Sequence, residues 1–258
     1  MQLTKNTIKL IKSLEHKKHR DMEQLFVAEG SKIVLDFIKS GLKVVHLCAY
    51  PEWIKEHQNS IKDFKNQTIE IHESVMKKIS HLHTPSPVLA TFKIDAKQIF
   101  DFNFETLSSL LFLDGIQDPG NLGTLIRTAD WFGIKNIVCS NNSVDCYNPK
   151  VVQSTMGSLA RVNISYSEIG TFFQSVPSDF AIIGAYMEGT SINNFKFPSK
   201  TILVIGSEGK GISSNTESFV THKVSIPRFN KIDETNSAES LNASVAGAIL
   251  CYEYSKNK

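Results

Sequence analysis

Cysteine is scarce in this 258-residue chain, and none of its four residues, Cys48, Cys139, Cys146 and Cys251, stands in a C-x-x-C pair. Such spacing offers neither a zinc site nor a disulfide framework, so a reducing cytoplasm is the simplest compartment. No stretch approaches the roughly 18 apolar residues of a membrane span. The longest candidate, Ala243 to Leu250, is interrupted by Ser244 and Gly247. The N-terminus carries Lys5 and Lys9 where a signal peptide would hold an apolar run, which argues against secretion. A charge excess is missing too: 28 Lys and Arg oppose 26 Asp and Glu, a net of +2, which excludes a histone-like polycation but leaves room for local basic patches. Repeats and low-complexity tracts are absent. Neither a metal nor a membrane is an expected partner.

What is present is an ordinary globular composition, 41% hydrophobic and 21% charged, in a length that suits one large domain or two modest ones. The first hundred residues alternate helical and strand patterns. Thr7 to Lys18 spaces Ile8, Ile11 and Leu14 by three with lysines between, which predicts an amphipathic helix with a basic outer face. Strands are predicted at 25–28, 44–49, 68–72 and 88–94, and helices at 32–39, opened by Ser31, at 51–64 and at 73–82. A small α/β layer structure results. Residues 1–101 hold 16 Lys and Arg against 12 Asp and Glu, and seven of the eight histidines, so an anionic partner would dock there first. A solvated lysine-rich face explains the same counts equally well.

A composition shift around Asp101 to Thr106 marks the expected boundary between domains at 1–103 and 104–258. Beyond it, near-continuous apolar strands are predicted at 110–113, 136–140, 161–166, 180–187, 201–205 and 224–226. Helices are predicted at 120–132, at 149–160 opened by Pro149, and at 240–254. This pattern indicates a mostly parallel sheet covered on both faces.

Ligands of open α/β sheets sit outside the carboxyl ends of the strands, which directs attention to three loops. The first, Asp114 to Gly123, runs through glycines into a helix carrying Asn121 and Arg127, six residues apart and so able to lie toward one side. The second, Gly206-Ser207-Glu208-Gly209-Lys210-Gly211, lets backbone approach a ligand. It matches neither G-x-x-x-x-G-K-[ST] nor G-x-G-x-x-G, so a nucleoside triphosphatase or a dinucleotide dehydrogenase lacks its motif here. The third, Ser240-Leu241-Asn242-Ala243-Ser244, opens the last helix, with Ser240 a natural N-cap and Asn242 within the first turn. Each loop alone also reads as a capped helix or a plain turn; their coincidence at the strand ends of one sheet is the stronger signal.

Together these segments, over about residues 108–256, resemble the three motifs of the SpoU branch of the SPOUT RNA methyltransferases, which includes tRNA and rRNA guanosine-2′-O-methyltransferases. Lys17 to Gly30, with Lys18, Arg20, Phe26, Glu29 and Gly30, resembles the L30e-like substrate-binding domain preceding many members. The resemblance implies an S-adenosylmethionine (SAM) enzyme with a deep trefoil knot in its C-terminal domain. It implies that Arg127 is the catalytic arginine, that Asn121, Glu208, Ser240 and Asn242 complete the catalytic set, and that Gly206, Glu208, Gly209, Ile226 and Leu241 lie at the cofactor.

The expected reaction is methyl transfer to a ribose 2′-hydroxyl of structured RNA, with rRNA favoured over tRNA, by a cytoplasmic homodimer that places Arg127 of one subunit near the other's cofactor. Such a displacement needs in-line alignment more than a metal. The alternative is a non-catalytic RNA-binding relative. One departure stands out. The family usually reads Ile-Pro-Met-x-Gly shortly before Ser-Leu-Asn, whereas Ile226-Pro227 is followed here by a segment at 228–239 that lacks the glycine and is longer by about six residues, a length loops tolerate.

Overall fold

The computed structural model describes residues 3–94, 103–229 and 239–256. Two compact units divide the chain, one of Met1–Lys97 with Asp145–Arg161 and one of Gln98–Val144 with Val162–Lys258. Residues 95–102, where the composition shift begins, fall outside the described residues.

In the first unit, α1 (Lys5–Ser13) is capped by Thr4, whose hydroxyl accepts from the Thr7 N–H at 3.1 Å. Then follow α2 (Lys17–Glu23), β1 (Leu25–Glu29), α3 (Ser31–Lys39), β2 (Val44–Ala49), α4 (Pro51–Glu56), β3 (Thr68–Glu70), α5 (Glu73–Ile79) and β4 (Val88–Lys93). The helix expected over 7–18 is thus two helices broken at a turn. The one expected over 51–64 ends at Glu56 and resumes only as a 3-10 turn at Lys62–Phe64. Asn59 and Ser60, whose side chains compete for backbone hydrogen bonds, explain that break. The sheet runs β1-β4-β2-β3, antiparallel except between β2 and β3. One face buries Ile11, Leu14, Val27, Met76, Ile79 and Leu89. Phe26, Phe37 and Phe92 also pack ring against ring.

The second unit holds β5 (Ser109–Asp114), α6 (Pro119–Trp131) and β6 (Asn136–Ser140). The next helix, α7 (Pro149–Ser154), lies in the segment that belongs to the first unit. The second unit continues with β7 (Asn163–Ser167), α8 (Ile169–Ser175), β8 (Ala181–Tyr186), β9 (Thr190–Ser191), β10 (Thr201–Gly206), α9 (Ser214–Glu217), β11 (His222–Ser225) and α10 (Ala243–Lys256). Its seven strands are ordered β7-β6-β5-β10-β8-β11-β9, with every pairing parallel. Side chains that alternate along the strands put Phe112, Val138, Ile182, Ile202 and Val204 against Phe172, Phe173 and Phe180. The expected helix over 149–160 breaks after Ser154, because Met156 (φ 51°) and Gly157 (φ 94°) turn left-handed before a 3-10 turn at Ser158–Ala160. Among the described residues no helix is long and apolar enough to cross a membrane.

Candidate active site

Each motif loop begins where a strand stops. Asp118 rather than Asn121 caps α6, its Oδ1 accepting from the Asn121 N–H at 2.8 Å, with Pro119 in the first turn where a missing N–H costs nothing. Asn121 therefore enters the helix with its carboxamide free and turned inward, 9% exposed. Its Nδ2 donates to Glu208 Oε1 and its Oδ1 accepts from Asn242 Nδ2 at 3.0 Å. One residue of each motif thus meets the other two through a single asparagine.

The last helix starts later than its sequence pattern suggests. Asn242 is the capping residue. Its backbone carbonyl accepts from Ala246, and its Oδ1 accepts from the Ser244 N–H at 2.9 Å and the Ser244 hydroxyl at 2.6 Å. Ser240, expected to be the cap, is exposed and makes no hydrogen bond among the described residues. The reason is competition: Asn242 sits where its carboxamide can satisfy the open N–H groups of the first turn, two residues nearer the apolar run.

Arg127 also departs from the expectation of a shared side. Six residues along α6 amount to about 120° of rotation, and Asn121 is buried while Arg127 is exposed with Thr124 and Trp131. The guanidinium makes no ion pair or hydrogen bond among the described residues, so all its donors are available to an outside anion or hydroxyl.

The glycine loop is held by its own backbone. Ser207 and Gly211 exchange N–H···O bonds at 3.0 and 2.8 Å, and a Cβ on Gly206 would overlap the Gly211 backbone. Gly211 is left-handed at φ 65°. Buried Asp114, at the end of β5, pins the far side of the loop by accepting from the Ser213 N–H at 2.7 Å. Gly209 is different: a Cβ there would meet nothing within 4 Å and its φ is not left-handed, so no intramolecular contact requires glycine there. Open space at that position suits close approach by a ligand.

Gly206 ends β10 and Ile226 follows β11, and β8 lies between those strands. The end of β8 is consequently central to the crevice, with Tyr186 level with Ser225. Sequence reading missed it because strand order is not written in strand sequence. The Tyr186 hydroxyl is buried without a hydrogen-bond partner among the described residues, and burial, with Glu217 and Asp114 near, pushes its pKa up to about 12. Leu241 is exposed and makes no backbone hydrogen bond among the described residues, leaving its peptide groups for a ligand. The extended segment at 228–239 lies mostly outside the described residues, which stop at Phe229 and resume at Glu239.

A parallel sheet whose carboxyl edge joins three loops through one buried asparagine, beside side-chain-free backbone, defines an α/β domain with a crevice at the edge where such folds hold their ligands. The chain belongs to the SpoU rRNA methylase family, which matches residues 108–252; an MRM3-like substrate binding domain matches residues 5–90. It is 26% identical over 250 residues to the 23S rRNA (guanosine(2553)-2′-O)-methyltransferase RlmP of Bacillus subtilis (strain 168), covering 93% of this chain and 92% of that protein. A TrmH-family structure from Porphyromonas gingivalis superposes with a TM-score of 0.84 at 34% identity, covering 100% of both chains. An AdoMet-bound rRNA methyltransferase from Sinorhizobium meliloti superposes with a TM-score of 0.84 at 25% identity, covering 99% of this chain and 96% of that one.

Proposed function

We propose that this protein transfers a methyl group from SAM to a ribose 2′-hydroxyl of structured RNA, rRNA before tRNA, as a cytoplasmic homodimer. The observation that carries the reading is the Asn121 junction, which binds Glu208 and Asn242 directly and sets all three motif loops around one crevice. The relatives named as rRNA methyltransferases, and the AdoMet-bound one among them, support the substrate and the cofactor. Residues 1–103 serve RNA recognition and residues 104–258 the chemistry, within the knotted fold of the family.

The cofactor, when bound, supplies a methyl group activated on a sulfonium sulfur. Gly206, Gly209, Ile226 and Leu241 fit it by presenting backbone at the carboxyl ends of β10 and β11 and before the start of α10. Glu208 spends one carboxylate oxygen on Asn121 and so orders the glycine loop. Asn242 ties the start of α10 to the same point. The Arg127 guanidinium has donors and no acceptor, and its fork aligns the attacking hydroxyl and the adjacent phosphate. Ser240, exposed beside Leu241, faces incoming substrate rather than the protein's own hydrogen bonds.

The outer face of α6 and α10 supports the dimer. Trp131 is 84% exposed, Val245 47% and Tyr252 50%, an apolar surface that a monomer would leave in water. Arg127 lies one turn before Trp131, so covering this face brings Arg127 to the interface, where a site shared between subunits would need it.

The deciding experiment follows radiolabelled methyl from SAM into RNA lacking the modification. Label in a 2′-O-methyl nucleotide is the expected result. Arg127→Ala should keep SAM affinity within about twofold and lose at least about 100-fold in transfer. Absence of label on every RNA, together with absence of SAM binding, would leave the non-catalytic RNA binder.

A further inference from the structure

Residues 145–161 follow β6 in the chain but complete the first unit. Their anchor is buried. Asp145 Oδ2 accepts from Arg20 Nε at 2.9 Å and from Nη2 at 2.6 Å. Arg20 Nη1 donates to the carbonyls of Leu14 and Glu15 at 2.8 and 2.7 Å. Arg20 is only 2% exposed. Around this anchor Tyr147 packs its ring on Phe26 at 4.6 Å. Arg161 reaches Asp36 at 3.3 Å, and Gly157, left-handed, lies so close to Asp36 that a Cβ would crowd the carboxylate. Burial pushes the Asp36 carboxyl up, but Lys32 and Arg161 outweigh it and hold the group below its ordinary value.

The geometry gives Arg20 a second task. Leu14 and Glu15 end the turn after α1, and their carbonyls have no helical partner of their own. Arg20 holds both, and so fixes the corner that presents Lys12, His16, Lys17 and Lys18 to solvent. Lys17 is shared with Asp21 in an exposed pair, while Lys12 and Lys18 make no ion pair among the described residues. A buried guanidinium stays inside only if its charge is matched. Asp145 supplies that match.

We infer that Arg20 and Asp145 are positioning residues for RNA recognition. Their buried pair holds the corner between α1 and α2 in the shape that grips RNA phosphates through Lys12, Lys17 and Lys18, and the recognition unit is therefore 1–97 together with 145–161. This rests on the reading that the first unit binds the RNA substrate.

The test uses the full chain. Asp145→Asn should raise the KM for RNA about five- to tenfold while kcat and SAM affinity stay within about twofold, and it should lower the salt slope of RNA binding by about one. A merely structural role would lower the folded fraction, and with it apparent kcat, and leave KM and the salt slope alone; that result overturns the proposal. The exposed double variant Lys12→Ala, Lys18→Ala, which leaves the core untouched, should raise KM as well, and adding Asp145→Asn to it should have less than the product of the separate effects. An unchanged KM in the lysine variant overturns the placement of the corner, even where Asp145→Asn fails to fold. If the wild type methylates no RNA, the enzymatic reading fails, and the RNA affinities of the same variants still decide this proposal.

Discussion

Asn121 offers one donor end and one acceptor end, and its neighbours leave no choice about which faces which. A carboxylate can only accept, so the Nδ2 end must face Glu208. The Oδ1 end then requires a donor and meets Asn242 Nδ2, whose own oxygen is taken by the first N–H groups of α10. Reversing any one amide would set acceptor against acceptor. Asn121→Asp keeps the shape and destroys this order, because two carboxylates would face each other. We expect SAM affinity to fall at least about tenfold and stability by about 1–2 kcal/mol, the lower range because Glu208 is exposed and screened. Glu208→Gln added to Asn121→Asp restores a donor opposite an acceptor at unchanged total charge. Calorimetric titration of SAM into both variants is the check, and a double variant no better than the single one would show that the junction is not organised by this pairing.

Strands and loops obey simpler constraints. Gly206 closes β10 where the returning backbone of Gly211 leaves no room for a Cβ, whereas Gly209 stands in the same loop with open space beside it. Gly206→Ala must open the loop and should weaken SAM binding at least about tenfold with little change in Tm, since the strain is local. Gly209→Ala should leave the fold and Tm untouched and weaken SAM binding only if the cofactor passes over that Cα. Wild-type affinity in Gly209→Ala would remove Gly209 from the cofactor contacts. Much at this scale is legible in sequence. The strand at 136–140 reads directly from its apolar run, and glycines around one acid do mark a loop at a strand end. What sequence hides is competition between local and distant partners. Asn242 outcompetes Ser240 for the cap, and Gly157 turns left-handed to clear Asp36, more than a hundred residues earlier. The helix α8 was also hidden: Gly170 and Thr171 weaken its pattern, and the cap that starts it is Glu168, which accepts from the Thr171 N–H at 2.7 Å. Strand order, which brings the end of β8 between those of β10 and β11, has no local signature at all.

At the scale of the whole molecule, the outer face of α6 and α10 separates what one chain completes from what it leaves open. Trp131, 84% exposed, contributes almost nothing to its own core, so Trp131→Lys should leave the circular dichroism spectrum and Tm of the folded chain nearly unchanged. If this face joins two subunits, the same change buries a lysine at an apolar interface and should convert dimers to monomers in sedimentation at micromolar concentration. If Arg127, which shares that face, serves the partner's crevice as proposed, transfer should fall with dimer content. Complementation then tests the shared site directly. Arg127→Ala and Gly206→Ala should each be nearly inactive alone when SAM is kept well below the weakened Kd of Gly206→Ala, but a mixed dimer combines one site carrying both defects with one carrying neither. Free exchange makes about half of the dimers mixed, so activity should recover to about a quarter of wild type. Recovery depends on the site being built across the interface: were Arg127 to serve the crevice of its own chain, every site in the mixture would carry one defect, and proven exchange without recovery would place catalysis within a single subunit.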